Sequence, residues 1–374
     1  MFSLHIDTAR TWRGGQNQVL LTVLGLRAAG HRAMLVAHPS GELRRRAAEG
    51  LELVALAPDH ELDLKAGWKL SRLLARARPD LVHAHDPHGV AMASVALSML
   101  TQAPPPPLVA SRRVDFRLKR NSFSRWKYRQ VQLFIASSDA IRRLLIEDGV
   151  EAGAVVTVHE GIDVERMALT EAGNVHEAFW LPHGAPLIGN IAALVPHKGQ
   201  RHLIDAMPLV LRELPDARLV ILGEGELRPQ LEHQVKHLHL DKHVVLPGFR
   251  SDVLSLLKGL DLFVMSSETE GLGTSLLDAM AAARACVGTD VGGIPEVIDD
   301  GTTGVLVPAR DPAALAAAIV RLLKDPPLRE RMGQAGLARV SDSFSVETMI
   351  DRMLAADVAV VRQQAAVAAE PPRP

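Results

Sequence analysis

The segment Ser266-Ser267-Glu268-Thr269-Glu270-Gly271-Leu272-Gly273-Thr274-Ser275-Leu276-Leu277-Asp278-Ala279-Met280 is the most informative part of this sequence for its fold. The apolar run Leu262–Ser266 leads into it and predicts a buried strand, whereas the apolar positions after Thr274 have helical spacing. Between the two, glycines allow the backbone to approach a ligand closely. Open parallel sheets bind ligands at such places, beyond the carboxyl end of a strand and beside a helix N-terminus. The segment therefore predicts an α/β fold with a binding loop.

The alternation of strands and helices continues along the chain. Apolar or β-branched runs predict strands over Leu4–Asp7, Arg32–Ala37, Leu51–Leu56, Leu81–His85, Leu108–Ser111, Leu133–Ser137, Val155–His159, Leu187–Ala192, Ala217–Leu222, His243–Leu246, Leu262–Ser266, Ala285–Thr289 and Gly304–Val307. Amphipathic stretches lie between them, including Gln18–Ala29, Gly67–Ala77, Gln200–Glu213, Leu227–Leu238 and Pro312–Leu323. Apolar strands that alternate with helices predict parallel sheets covered on both faces.

The length of 374 residues suits two domains of ordinary size. The alternation pauses near Val164–Gly184, where polar residues cluster and a turn is predicted over residues 180–184. We therefore expect an N-terminal Rossmann-like domain over residues 1–175 and a C-terminal one over residues 176–345. A last helix, over residues 346–366, is expected to pack back on the N-terminal domain, and residues 367–374 are expected to form a disordered tail.

The composition is that of a folded protein without a strong overall charge. Hydrophobic residues make up 47% of the chain, and 42 Lys and Arg nearly balance 43 Asp and Glu, so the net charge does not favour nucleic acid. The single Cys286 fits a reducing compartment. We expect no signal peptide and no spanning helix, since no window approaches about 20 apolar residues. The predicted location is the cytoplasm, including a peripheral position on the inner face of the cell membrane.

Four features fit a site for an extended anionic ligand. Gly14-Gly15 opens a helix after the first strand, and Lys198 lies at a helix start in the second half. Glu270 and Asp278 lie about two helical turns apart, so their carboxylates can bind hydroxyls at two ends of one ligand. The amides of Gly271, Leu272, Gly273, Thr274 and Ser275 can contact phosphate oxygens. Taken singly, each feature also fits a plain turn, a surface lysine or a capped helix.

As a set, these motifs resemble those of the retaining glycosyltransferases of family 4. That family carries a Glu, seven residues and a second Glu; here Glu270 matches the first, and Asp278 stands at the place of the second. The resemblance covers nearly the whole chain, through Gly14-Gly15, Gly30-His31, His83-Ala84-His85, Glu160-Gly161-Ile162-Asp163, Lys198-Gly199, Gly223-Glu224-Gly225, Gly248-Phe249-Arg250 and Gly292-Gly293-Ile294-Pro295-Glu296. It implies the GT-B fold, in which two Rossmann-like domains with parallel sheets face each other across an interdomain cleft.

The resemblance also implies roles for individual residues. Glu270 would lie near the transferred sugar, Asp278 would bind the ribose, and Lys198 would neutralise the leaving diphosphate. The rest of the donor site would comprise the loop Gly271–Ser275 together with Gly14, Gly15, Gly223, Phe249 and Arg250, the last two in the loop that meets the base.

The sequence departs from the family pattern at two places. Many relatives have an Arg five residues before the Lys, where this chain has Ala193. Several have a His after the strand Leu108–Ser111, where this chain has Arg112-Arg113. Arg113 can contact a diphosphate or an anionic acceptor from that place. We therefore predict an electrostatic mechanism, in which Lys198, the glycine-loop amides and Arg113 stabilise charge on the leaving oxygen.

The sequence gives no sign of a metal or cofactor. No Asp-x-Asp pair is present, so we predict no obligatory catalytic metal. His83 and His85 have no charged partner visible in the sequence, and we interpret them as structural or loop-bracing rather than as a base or ligand. His233 and His237 share a helical face but lack a third ligand, which favours a solvated face.

One stretch of the N-terminal half is locally basic. It contains Arg112, Arg113, Arg117, Lys119, Arg120, Arg125, Lys127 and Arg129, with Asp115 opposed and Phe116, Phe123, Trp126 and Tyr128 interleaved. This mixture suits anionic lipid headgroups, but it also fits RNA or a solvated loop with buried aromatic residues. We favour an anionic membrane surface or acceptor over nucleic acid, because many members of the family act on lipid-linked or cell-surface glycan precursors.

The sequence therefore predicts a hexosyltransferase that uses a UDP- or GDP-linked sugar and a lipid-linked or cell-surface glycan precursor. Retention of anomeric configuration is implied by the resemblance. Two alternatives stay open: a sugar-nucleotide epimerase on the same scaffold, and a nucleotide-sugar binding protein without transfer activity, which Ala193 and Asp278 favour. A dehydrogenase fits less well because the first glycine turn lacks the G-x-G-x-x-G spacing.

Overall fold

The structure, a computed structural model, describes residues 1–47, 50–101, 104–119 and 121–369, of which 367–369 by backbone alone. Its strands are β1 (Phe2–Asp7), β2 (Arg32–Ala37), β3 (Glu52–Ala55), β4 (Leu81–Ala84), β5 (Leu108–Arg112), β6 (Val131–Ala136), β7 (Val155–Thr157), β8 (Leu187–Ile191), β9 (Arg218–Leu222), β10 (Val244–Gly248), β11 (Leu262–Met265), β12 (Ala285–Thr289) and β13 (Gly304–Val307). Every predicted strand is present, with ends that differ by at most two residues.

The helices in the described part of the chain lie between these strands and after the last of them. They are α1 (Gly14–Ala28), α2 (Glu42–Arg46), α3 (Leu64–Ala77), α4 (Pro87–Ser98), α5 (Ser122–Arg129), α6 (Asp139–Glu147), α7 (Val164–Leu169), α8 (Val175–Ala178), α9 (Gln200–Glu213), α10 (Arg228–His237), α11 (Val253–Lys258), α12 (Thr274–Ala281), α13 (Ile294–Val297), α14 (Pro312–Lys324), α15 (Pro326–Ser343) and α16 (Val346–Ala369). Helix α16 extends three residues into the predicted tail, whose residues 370–374 lie outside the described part.

The chain divides into two compact units, each with one sheet. Unit 1 comprises Met1–Gly161 and the segment from Val346 onward, and unit 2 comprises Ile162–Ser345. We expected the boundary at residue 175. The structure places the segment from Ile162 with unit 2, because the side chains of Ile162, Met167 and Val175 are buried in the hydrophobic core of that unit.

Unit 1 contains a seven-stranded sheet in the order β3-β2-β1-β4-β5-β6-β7. All neighbouring strands are parallel. The strand order reverses between β1 and β4, and open α/β sheets bind ligands beyond the carboxyl ends of the strands at such a reversal. The loops that follow Asp7 and Ala84 leave the sheet at this point.

Unit 2 contains a six-stranded parallel sheet in the order β10-β9-β8-β11-β12-β13. The strand order reverses between β8 and β11. The loops after Ile191 and Met265 therefore leave the sheet side by side, and these are the loops that carry Lys198 and Glu270.

Each sheet is buried on both faces, since successive side chains of a strand point to opposite faces. In β11, Leu262 and Val264 belong to one buried cluster and Phe263 to the other. In β1, Leu4 and Ile6 belong to a hydrophobic cluster, whereas the alternate side chains of Ser3, His5 and Asp7 are polar and equally buried. A row of polar groups thus leads inside unit 1 towards its strand-order reversal.

Helix α16 packs against α1 within unit 1. Gly25 allows the close approach, because a Cβ at this position would lie 2.5 Å from Cγ1 of Ile350. Among the described residues, no helix is both long enough and apolar enough to cross a membrane.

Candidate active site

Lys198 and Glu270 meet at the strand-order reversal of unit 2. Lys198 Nζ lies 2.6 Å from Glu270 Oε2, and the Ser267 hydroxyl donates a hydrogen bond of 2.9 Å to the same oxygen. The side chain of Lys198 is 20% exposed and that of Glu270 is 10% exposed. A mostly buried ion pair of this kind places a cation and a carboxylate at one point that solvent still reaches.

The loop around Glu270 is held by contacts on both sides. The Glu268 carboxylate accepts hydrogen bonds from His202, Arg201 and Arg310. Burial opposes ionisation of this group, but these hydrogen bonds dominate and lower the pKa of Glu268 to about 2. The Glu268 amide also donates to the carbonyl of His197 (2.7 Å), which ties the two loops together.

The glycine turn at Gly292-Gly293 lies directly against the same loop. A Cβ at Gly292 would lie 1.9 Å from the carbonyl oxygen of Glu270, and the Gly293 amide donates to that oxygen at 3.2 Å. Gly292 also has a φ of +55°, in the left-handed region. The turn therefore needs glycine at this position in order to hold the backbone of Glu270.

Helix α12 begins at Thr274, and its N-cap Gly273 has a φ of +93° and no side chain to cap the first turn. Gly271, Leu272 and Gly273 are buried, whereas Thr274 and Ser275 are half-buried. Amides of an uncapped first helical turn point towards an incoming ligand and favour negative charge. The amides that we predict to bind phosphate thus come directly after Glu270 in the chain.

Asp278 lies one turn into the same helix and is half-buried. Burial raises the pKa of Asp278 to about 7, against the opposing effect of the Arg166 guanidinium. Arg166 belongs to α7, more than 100 residues earlier in the chain, and nothing in its sequence context predicts this neighbour.

Gly223 follows β9, and Phe249 and Arg250 follow β10. These two strands lie on the opposite side of β8 from β11. A Cβ at Gly223, whose φ is +147°, would lie 2.0 Å from the carbonyl oxygen of Ala192. Gly223 also donates a backbone hydrogen bond to Gly248, at the end of β10. Phe249 is 60% exposed, and Arg250 forms two hydrogen bonds to Asp252. The structure therefore places these three residues at the carboxyl ends of the strands.

In unit 1, the first glycine turn lies beside Arg113. Gly14 and Gly15 are the first residues of α1, and a Cβ at Gly15 would lie 3.9 Å from Cδ of Arg113. Arg113 Nε lies 3.0 Å from Glu160 Oε1, and Arg113 Nη1 lies 3.1 Å from His85 Nδ1. Burial lowers the pKa of Arg113, opposed by the negative charges of Glu160 and Asp7.

Sequence reasoning found no charged partner for His85, and the structure shows that this partner is Arg113. It also missed His5, whose ring lies with those of His83 and His85 in a buried group. One ligand nitrogen from each ring lies within 4.8 Å of the others, the one such metal-ligand group among the described residues. Burial, together with neighbouring charges, lowers the pKa of all three rings, so they are neutral.

The basic stretch is less exposed than its sequence indicates. Residues 122–129 form α5, which buries Lys127, and Lys127 Nζ lies 2.6 Å from Glu61 Oε1. Arg117 pairs with Glu147 and Asp148. Within the described residues of this basic stretch, the exposed basic side chains are those of Arg117, Lys119, Arg125 and Arg129. Arg120 lies outside the described residues. Phe116 is 57% exposed beside them.

Two open parallel sheets with helices on both faces, one in each unit, correspond to the two Rossmann-like domains of the GT-B class of fold. Residues 12–166 match the family model described as Glycosyltransferase Family 4, and residues 174–339 match the model described as Glycosyl transferases group 1. The chain belongs to glycosyltransferase family 4 and is a glycosyltransferase. This confirms the predicted class of fold and enzyme.

Individual proteins are similar to the chain over different lengths. EpsD of Bacillus subtilis is 29% identical over 299 residues, which cover 76% of this chain and 78% of EpsD. The GDP-mannose-dependent monoacylated alpha-(1-6)-phosphatidylinositol monomannoside mannosyltransferase of Corynebacterium glutamicum is 31% identical over 203 residues, or 52% of this chain and 53% of that protein. The crystal structure of Anabaena HepE in complex with UDP-glucose has a TM-score of 0.83 at 20% identity and covers 96% of this chain and 100% of HepE.

Proposed function

We propose that the protein transfers a hexose from a UDP- or GDP-linked sugar, with retention of anomeric configuration, to a lipid-linked or cell-surface glycan precursor. Unit 2 binds the donor. The observation that carries this proposal is the ion pair between Lys198 and Glu270 at the start of the uncapped helix α12.

The chemistry follows from where charge develops. When the bond between sugar and diphosphate breaks, negative charge grows on the leaving oxygen. Lys198 and the amides of Gly271–Ser275 are oriented before the reaction starts, so they stabilise this charge without a reorganisation cost. Glu270 faces the sugar and Asp278 the ribose hydroxyls. Glu270 also neutralises Lys198 while no donor is bound, and the diphosphate takes over this role on binding.

Two proteins similar to the chain support a nucleotide sugar as the donor. HepE was crystallised with UDP-glucose, and the Corynebacterium enzyme is named as GDP-mannose-dependent. The binding test therefore includes both uracil and guanine nucleotides. Phe249 and Arg250 form the proposed contact with the base, and Gly223 belongs to the proposed donor site of unit 2. Gly14, Gly15 and Arg113 form a proposed anion-binding group in unit 1.

The test is a thermal-shift panel of UDP, UMP, GDP and GMP, because a bound ligand raises the apparent stability by mass action. We expect one diphosphate to stabilise the protein more than its monophosphate, and Lys198→Ala to abolish that difference. Lys324→Ala is the matched control, since Lys324 forms a 2.6 Å ion pair with Glu213 on the surface of the same unit. Equal shifts for mono- and diphosphates would contradict the proposal.

Transfer itself is tested with the preferred donor and a panel of lipid-linked acceptors. Proton NMR of the first product formed shows whether the anomeric configuration of the donor sugar is kept. Formation of an isomeric nucleotide sugar without any glycosylated product would identify an epimerase. Tight binding without turnover, unchanged in Glu270→Ala, would identify a binding protein.

We also propose that the exposed basic and apolar side chains near α5 bind an anionic membrane surface or acceptor. Phe116 supplies an apolar contact, and Arg125 and Arg129 supply charge. We expect flotation with phosphatidylserine vesicles at low salt and loss of binding at 1 M salt, where the Debye length falls to about 3 Å. Phe116→Ala combined with Arg125→Ala should reduce binding, whereas Trp180→Ala, which removes an exposed aromatic of unit 2, should not. Absence of flotation at low salt would exclude the membrane.

A further inference from the structure

A line of buried hydrogen bonds leads from β1 to Arg113 inside unit 1. Ser3 Oγ lies 2.9 Å from His5 Nε2. His5 Nδ1 lies 2.9 Å from His85 Nε2. His85 Nδ1 in turn lies 3.1 Å from Arg113 Nη1. Ser3 and His5 are fully buried and His85 nearly so, and water therefore does not compete for these contacts.

The hydrogen bonds have one direction. A guanidinium group carries only donors, so His85 Nδ1 must accept from Arg113. His85 is neutral, because burial, together with the charge of Arg113, lowers its pKa well below the usual value. Its proton is therefore on Nε2, which donates to His5 Nδ1. His5 is neutral for the same reasons and donates from Nε2 to Ser3 Oγ.

Arg113 is held from two sides. His85 accepts from Nη1, and Nε lies 3.0 Å from Glu160 Oε1 in an ion pair whose side chains are 12% and 10% exposed. Contacts to two different nitrogens fix the plane of a guanidinium group, which has five donors in a rigid fork. Among the described residues no hydrogen bond to Nη2 is present, so its donors can serve an oxyanion of the substrate.

We propose that His85, backed by His5 and Ser3, is a positioning residue that orients Arg113 to bind an oxyanion of the substrate. This inference rests on the proposed function of Arg113. The oxyanion is a phosphate of the donor or an anionic group of the acceptor, and the kinetic constants for the two substrates distinguish these sources.

The three rings do not fit a metal ion in this arrangement. His5 and His85 use facing nitrogens to bond to each other, so a metal would have to break that hydrogen bond. A divalent ion would also lie next to the guanidinium charge of Arg113, which is 3.1 Å from His85. The hydrogen-bonded line is the arrangement that the surrounding charges favour.

Two substitutions of His85 separate positioning from packing. In His85→Asn the amide oxygen can replace Nδ1 as the acceptor for Arg113, whereas in His85→Gln the longer side chain reaches the place of Nε2 and offers Arg113 no acceptor. We expect kcat/KM to fall about 10- to 100-fold in His85→Gln, as for loss of a charged hydrogen bond, and by much less in His85→Asn. A role in packing predicts the reverse, because Gln fills the cavity better.

His83→Gln is the matched control. The His83 ring is equally buried and stacks on His85 at 4.2 Å between centroids, but it bonds to Ser111 rather than along the line. We expect it to keep kcat/KM within about threefold of the wild type, since no charged hydrogen bond is lost. A rise in KM for the donor alone in His85→Gln assigns the oxyanion to the donor, and a rise in KM for the acceptor alone assigns it to the acceptor.

Nitrogen-15 NMR of the histidine rings in the full-length protein without substrate tests the line independently of activity. We expect His5 and His85 each to carry a proton on Nε2 alone, and Arg113→Met to disturb this state in His85 but not in His83. A proton on Nδ1 of His85, or one equivalent of zinc in the purified protein, would overturn the inference. If Arg113→Met transfers sugar at the wild-type rate while Lys198→Ala is inactive, the positioning role fails and the donor site of unit 2 stands.

Discussion

The strand-order reversals of units 1 and 2 have the same topology but carry different chemistry. In unit 2, the charged groups lie on loops, where Lys198 and Glu270 form one ion pair beside a helix start. In unit 1, they are side chains within or just after strands, where a line of imidazoles ends at Arg113. We propose that the charged groups of unit 2 contact a ligand directly, whereas in unit 1 buried contacts to His85 and Glu160 hold Arg113 in place. This difference predicts that a substitution at the ion pair of unit 2 removes a charge from the reaction directly. A substitution behind Arg113 in unit 1 acts only through the position of that side chain.

The largest effect is expected for Lys198→Ala in unit 2. Loss of a group that stabilises the developing charge should lower kcat by about 100- to 1,000-fold. Steady-state transfer assays measure this, with Lys324→Ala as the control and circular dichroism as the check of folding. Activity within about threefold of the wild type would remove Lys198 from the catalytic groups, since one such stabilising contact is worth more than that.

The contrast between the two sites also explains what the sequence could and could not predict. The strands and the glycine turns follow from local patterns, because each depends on residues adjacent in the chain. Lys198 and Glu270 are each located by a local motif, although their ion pair joins loops that are 72 residues apart. His5 and His85 come together through the pairing of β1 with β4, across 80 residues, and the pairing of β4 with β5 brings Arg113 to His85. In the sequence, a histidine that contributes to a site looks the same as a histidine that only packs in the core, because both lie in an apolar strand. Glu268 and Arg166 escaped notice for the same reason, since their partners lie on distant elements.

A second comparison uses the glycines of the two sites. Gly292→Ala in unit 2 would bring a Cβ to 1.9 Å from the Glu270 carbonyl and strain a left-handed backbone, at a cost of about 1–3 kcal/mol. Gly15→Ala in unit 1 would meet its nearest atom at 3.9 Å. We expect Gly292→Ala to weaken nucleotide binding by about 10- to 100-fold and Gly15→Ala to remain folded and bind normally, as calorimetry can measure. Equal losses would place Gly15 in close contact with the ligand.

Asp278 in unit 2 and Asp357 in unit 1 form a third comparison, because burial raises the pKa of each to about 7. Asp278 is half-buried at the proposed donor site, and we propose that it binds ribose hydroxyls in its ionised form. Affinity for the nucleotide should therefore increase up to about tenfold per pH unit below pH 7 and level off above it. Asp278→Asn should bind more weakly at pH 8 and lack this increase. The pH dependence of nucleotide affinity in Asp278→Asn also serves as the control for titration of the nucleotide phosphates. A wild-type affinity that does not change between pH 6 and 8 would contradict the assignment.

The smallest effect concerns stability and is expected for Asp357→Asn. Asp357 is fully buried on α16, and among the described residues its carboxylate oxygens have no hydrogen-bond partner. Since folding raises its pKa from 3.8 to about 7, the native state keeps a proton that the unfolded state releases between these values. The wild type should therefore lose stability as the pH rises from 4 to 7. The Asn variant should lack this loss and be more stable above pH 7 by about 1 kcal/mol, because its own buried amide offsets part of the gain.

Urea unfolding at pH 5 and pH 8 measures the free energy of unfolding of the wild type and of the Asn variant. An equal difference between the two proteins at both pH values would show that Asp357 does not titrate in this range. Donor affinity should be unchanged, in contrast to Asp278→Asn, because Asp357 lies in the scaffold of unit 1.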